Sequence, residues 1–145
     1  MSRNARTIKT TPDKVWAVLA DGWLYPLWVV GASRMRDVDA EWPDVGARIH
    51  HSVGAWPLLL DDNTEVLDCE PGHLLEVRAR SWPAGEARVV LRLTEVDGGT
   101  EVVMEEDVES GPARLVPKPV RTPMLAWRNV ESLRRLAFLA ERRER

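Results

Sequence analysis

From Ser33 to Val108 apolar and polar residues alternate with a period of two, and turn residues interrupt the alternation about every ten positions. That rhythm predicts an antiparallel meander. Trp42-Pro43-Asp44-Val45-Gly46 separates a strand over about 33–40 from one over about 47–54. Gly54-Ala55-Trp56-Pro57 leads into a long strand over about 58–69, bent at Asp61-Asp62-Asn63 and closed by Glu70-Pro71-Gly72. Pro83-Ala84-Gly85 then divides Leu74–Trp82 from Ala87–Val96, and Asp97-Gly98-Gly99 opens the last strand, Thr100–Val108. With an N-terminal strand over Arg3–Lys9 the count is about seven.

Charge fixes which way these strands face. Arg88 and Arg92 mark a wet face, so Ala87, Val89, Leu91 and Leu93 turn to the core. Glu76, Arg78 and Arg80 put Leu75, Val77 and Ala79 inside by the same rule, and Val102, Met104, Glu106 and Val108 form the inward set of the last strand. That set carries an acid, Glu106, into the core.

Near both ends the period changes. Thr11-Pro12-Asp13 supplies a hydroxyl cap, a first-turn proline and an early acid for a short helix whose apolar side is Val15, Trp16, Val18 and Leu19. Asp21-Gly22 stops it, and Trp23–Val30 reads as a second short helix starting at or near Pro26. Gly111, Pro112, Pro117 and Pro119 mark a linker across one end of the sheet. After it Thr122-Pro123 repeats the cap-plus-proline start. Ala126, Val130, Leu133, Ala137 and Ala140 then recur at helical spacing, flanked by Trp127 and Leu136, with Arg128, Glu131 and Arg135 opposite. This predicts an amphipathic C-terminal helix of about five turns.

Composition narrows what such a chain does. Its 145 residues suffice for one sizeable core, so residues 1–145 read as a single domain. Twenty basic against 23 acidic residues give a net charge of -3, and no positive field invites nucleic acid. Cys69 is the sole cysteine and the three histidines match no zinc spacing, which points to a reducing, cytoplasmic setting with no structural metal and no cofactor. The most apolar stretch, Trp23–Ala32, is about half the ~18 residues a membrane span needs and contains Pro26 and Gly31. Arg3, Arg6 and Lys9 are followed by polar residues rather than by an apolar signal core. Seven tryptophans beside one tyrosine (Tyr25) and one phenylalanine (Phe138) serve as core filler or as walls of an apolar pocket. Nothing in the pattern assigns an oligomeric state.

Candidate chemistry is sparse. There is no Gly-x-Ser-x-Gly elbow, and Cys69 has no histidine at a recognisable spacing and reads as apolar filler. Gly98-Gly99 lacks the helix a phosphate loop needs. Asp61, Asp62 and Glu65 lack the loop of a calcium hand and read as a polar bend. His50 and His51 are adjacent on a strand, so one faces each side, and Ile49 and Val53 share the side of His51. An inward His51 with the inward Glu106 forms a candidate catalytic acid/base pair. In the alternative reading His51 satisfies a local partner and Glu106 pairs with an arginine.

The order of strand, two short helices, six-strand meander and long C-terminal helix resembles the helix-grip fold of the START and polyketide cyclase/dehydrase superfamily, which includes the Bet v 1-like proteins. The residues that carry the likeness are Thr11-Pro12-Asp13-Lys14-Val15-Trp16, Trp28, Val45-Gly46, Gly98-Gly99-Thr100 with Met104-Glu105, and Arg128-Asn129-Val130-Glu131-Ser132-Leu133. The resemblance implies an α+β fold in which a curved seven-strand antiparallel sheet wraps the C-terminal helix, with an apolar ligand cavity between them. Small inward residues such as Ala79, Ala87 and Ala126 leave room for it. Expected ligand-binding residues are Trp28, Ile49, His51, Val89 and Leu91, together with Met104, Glu106, Trp127 and Val130. The expected partner is an apolar or aromatic small molecule. Two other roles stay open: a cyclase or aromatase in which His51 and Glu106 move protons, and an interaction module using Leu139, Phe138 and Trp56.

Overall fold

The computed structural model describes residues 2–29, 34–53, 60–81, 85–110, 115 and 117–142. The chain begins with strand β1 (Ser2–Ile8), continues through helix α1 (Pro12–Ala20), a 3-10 turn (Gly22–Leu24) and the single-turn helix α2 (Tyr25–Trp28), and then enters the meander. Its strands are β2 (Arg34–Val38), β3 (Arg48–Val53), β4 (Leu60–Glu70), β5 (Leu74–Ser81), β6 (Gly85–Val96) and β7 (Gly99–Ser110), followed by the long helix α3 (Lys118–Arg142). All seven strands form one antiparallel sheet in the order β1-β7-β6-β5-β4-β3-β2.

The bend expected at Asp61-Asp62-Asn63 is not a break in the ladder: β4 pairs with β3 without a register shift from Leu60 to Glu65. Register shifts at Met35/Asp37, Val66/Asp68 and Glu86/Ala87 break the ladders, and such bulges bend strands and sharpen their twist. The curved sheet therefore has a concave face, and its inward residues Val66, Leu75, Val77, Leu91, Leu93 and Val102 join Val15, Val18, Leu133, Leu136 and Ala140 of the helices in one core. On the convex face opposite charges meet across strands: Arg88 with Glu76 at 3.1 Å, Arg80 with Glu86 at 3.1 Å and Arg92 with Glu105 at 3.7 Å. At Gly99 a Cβ would collide with the Ile8 carbonyl oxygen, so the β6–β7 turn needs glycine to let the end of β1 approach.

Three local expectations are corrected. Thr11 occupies the cap position of α1, yet its hydroxyl makes no capping bond; its carbonyl instead accepts from the Lys14 and Val15 amides at 3.1 and 3.2 Å. The last helix starts at Lys118 rather than at Thr122-Pro123, because Pro119 sits in the first turn, where a missing N–H costs nothing. Pro123 is then inside the helix and gives up one backbone hydrogen bond there.

The third correction concerns the rotation of α3. Its buried residues include Asn129, Leu133, Leu136 and Ala140 at a +4, +3, +4 spacing, beside Ser132 and Ala137, a pattern that competes with the Ala126, Val130, Leu133, Ala137, Ala140 series that apolarity alone selects. Both series contain Leu133 and Ala140. The structure turns Asn129 inward and leaves Val130 52% and Trp127 70% exposed, and Arg128, expected on the solvent side, reaches Glu106.

Candidate functional site: a cavity under the last helix

Between the concave face and the first half of α3 lies a cavity of about 330 Å³, within the usual range for small-molecule pockets. Its floor comes from inward residues of the meander: Leu75, Val77 and Ala79 of β5, Ala87, Val89 and Leu91 of β6, and Met104 and Val108 of β7. Alternation in neighbouring strands brings these side chains to one face, and the alanines keep the floor low. Leu125, Asn129 and Ser132 of α3 form the roof, and Tyr25, Trp28 and Trp42 close one wall.

That wall is held by specific contacts. The Tyr25 and Trp28 rings meet edge to face at 5.6 Å between centroids, a favourable arrangement for aromatic quadrupoles. The Trp42 indole N–H donates to the Leu19 carbonyl at 3.1 Å and so ties the turn before β3 to the end of α1. The Tyr25 hydroxyl lies 3.2 Å from the Thr64 hydroxyl. Burial pushes the phenol above its ordinary pKa and the nearby Glu106 adds to this, while the Thr64 hydrogen bond and Arg128 act the other way. Tyr25 is accordingly a neutral phenol.

Polar groups gather at the α3 side. The Glu106 side chain is 2% exposed, and its Oε2 accepts from the Arg128 guanidinium, whose own side chain is 38% exposed. The cation thus spans the wall from cavity to solvent and offsets the cost of burying the carboxylate. Glu106 Oε1 and both amide atoms of Asn129 are buried without a hydrogen-bond partner among the described residues.

Of the residues expected from sequence, Trp28, Val89, Leu91, Met104 and Glu106 line this cavity. Ile49 does not; it is fully buried in the core. Trp127 and Val130 are corrected to the outer surface of α3, since the rotation that brings Arg128 to Glu106 turns them away. The His51 backbone pairs with Met35 and Asp62, and its side chain lies outside the described residues, as do Trp56 and Trp82. Glu106 follows the arginine-paired reading. Its cation, Arg128, was missed because an arginine on an amphipathic helix reads as a solvent-facing residue. Asn129 was missed too, although its position four residues before Leu133 was a usable signal.

The other candidates fall elsewhere. Cys69 is half-buried, and burial, then Asp44 and Asp68, raise its pKa, so it is a thiol packed against the core. Glu65 faces Arg48 at 3.6 Å, and the side chains of Asp61 and Asp62 lie outside the described residues. Phe138 is exposed beneath the Arg142 guanidinium, 4.4 Å from the ring centroid, whereas Leu139 packs against the core. Among the described residues no helix is long and apolar enough to cross a membrane.

A curved antiparallel sheet closed over a long terminal helix, with an apolar chamber between them, defines a helix-grip protein. Residues 2–141 match the family described as polyketide cyclase / dehydrase and lipid transport, and the chain belongs to that family. No curated protein matches it. Solved structures similar to it include a Rhodobacter sphaeroides protein with 28% identity, 94% of this chain and 89% of that one covered, and a TM-score of 0.72. TTHA0849 from Thermus thermophilus is 11% identical, with 99% of each chain covered and a TM-score of 0.73. The di-domain ARO/CYC StfQ from the steffimycin biosynthetic pathway is 12% identical with a TM-score of 0.74, over 98% of this chain and 51% of that one.

Proposed function

We propose that the protein, acting as a single domain over residues 1–145 inside the cell, binds an apolar or aromatic small molecule in the cavity beneath α3. The observation that carries this reading is a chamber of about 330 Å³ that persists although Trp28 and Trp42, two of the largest side chains available, already stand in its wall. Family membership supports the same class of role. An uncharged naphthalene dye should bind with micromolar affinity and quench tryptophan emission, because Trp28 and Trp42 border the space. Ala87→Phe, which adds a ring to the floor, should weaken that binding at least tenfold, about 1.4 kcal/mol. Unchanged affinity in that variant, with the fold intact by circular dichroism, would refute the site. Native mass spectrometry of protein from its own host would then identify the cargo.

A cyclase-type activity is the second reading, favoured by the buried Glu106–Arg128 pair beside the neutral Tyr25 phenol. In that role the phenol and the Arg128 guanidinium would donate hydrogen bonds to a ligand carbonyl while the walls fold the chain. The acid/base partnership of His51 with Glu106 remains a proposal within this reading. His51→Gln should then lower turnover of a poly-β-keto substrate a hundredfold or more with binding nearly unchanged. Equal turnover in parent and variant would remove His51 from the mechanism.

A further inference from the structure

Charge at the polar end of the cavity is already balanced. Glu106 and Arg128 neutralise each other through Oε2. What remains there is hydrogen-bonding capacity: Glu106 Oε1, an acceptor, and the Asn129 side chain, which is 0% exposed and presents one acceptor and one NH₂ donor with no partner among the described residues. Whichever way round the amide is set, it offers one of each. A buried polar group left in this state costs more than its hydrogen bond returns when made, so such groups in native proteins mark a partner that completes them.

We infer that the cavity selects an uncharged ligand whose apolar body ends in a head with two hydrogen-bond donors and an acceptor, the chemistry of a primary carboxamide. This rests on the ligand-binding reading above and specifies the ligand class. The carboxamide carbonyl accepts from the Asn129 NH₂, one of its N–H groups donates to the Asn129 carbonyl and the other to Glu106 Oε1. Polar and apolar requirements are then met together, since Val89, Leu91, Met104 and Leu125 surround the ligand body. A carboxylate of the same shape meets the opposite conditions. It brings a second negative charge beside Glu106, whose cation is already engaged, and has no donor for either unpartnered oxygen.

The test compares three ligands of one shape by calorimetry or tryptophan quenching: naphthalene-carboxamide, naphthalene-carboxylate and isopropylnaphthalene. The carboxamide should bind about tenfold more tightly than the hydrocarbon, and the carboxylate more weakly than both. In Asn129→Leu the carboxamide should lose its advantage over isopropylnaphthalene, and a circular dichroism spectrum equal to the parent's shows that the variant is folded. Hydrocarbon binding equal to carboxamide binding in the parent, or a carboxylate that binds best, would overturn this inference and leave the apolar cavity standing. Failure of all three to bind would overturn both.

Discussion

The two halves of α3 do opposite things with the same local structure. Over its second half Leu133, Leu136, Ala137 and Ala140 are packed dry against the core, and the Lys9 amide donates to Glu141 at 3.1 Å, fastening the helix end to the sheet. Over its first half the inward positions are Leu125, Arg128, Asn129 and Ser132, which roof the cavity. One helix therefore anchors at one end and presents chemistry at the other. Tight packing of the second half fixes the rotation of the whole helix, and that rotation delivers a guanidinium and an amide to a site they would not reach by their own affinity for an apolar chamber.

If the second half is the anchor, breaking it should have the largest effect. Leu133→Ala should cost about 2 to 5 kcal/mol by chemical denaturation, from lost transfer energy and the void left behind. A loss below about 1 kcal/mol, outside that range for a buried leucine, would mean that α3 is held elsewhere.

Next in size is the charge pair of the first half. Arg128→Met leaves Glu106 buried without its cation and should cost about 1 to 3 kcal/mol, discounted for the part of the arginine that meets solvent. Adding Glu106→Gln should recover at least half of that loss. A double variant no more stable than Arg128→Met would show that the two side chains are not coupled.

Smaller, and of opposite sign, is the effect at Asn129. Replacing it by leucine removes two unpartnered polar atoms and should stabilise the unliganded protein by about 1 to 2 kcal/mol, seen as a higher Tm. Destabilisation would mean that the amide supports the fold rather than the site. The contrast between Leu133 and Asn129, on one helix face and one turn apart, is the sharpest measure of the division between anchor and roof.

The smallest effect is a titration. The chain has one tyrosine, so phenolate absorbance reports Tyr25 alone. Its midpoint should lie above the ordinary 10.0, because burial disfavours the anion. With the folded value raised, the unfolded chain ionises first: stability is unaffected well below pH 10.0 and falls as pH rises from there to the folded midpoint. A midpoint at or below 10.0 would place the ring in water and open the wall that Tyr25 closes.

The meander, strand facing and the inward Glu106 were legible in the residues, because a two-residue period allows only two faces and charge marks the wet one; the place of β1 beside β7 was not. Turn glycines and prolines set the hairpins for the same local reason. Helix rotation was not legible. On α3 the series through Val130 and the series through Asn129 share Leu133 and Ala140, and apolarity favours the first. Only the assembled molecule weighs the alternative, in which Trp127 and Val130 remain exposed while Arg128 compensates a carboxylate coming from β7, 22 positions earlier in the chain. The same holds for Tyr25 and Trp42, which lie far apart along the chain and become one wall once α2 and the turn before β3 meet. Sequence by itself determined the strands and their faces, since those depend on neighbours a few residues apart. Tertiary structure decided which polar groups share the cavity, since pairing a buried charge is an energy term between strand and helix that no local period records.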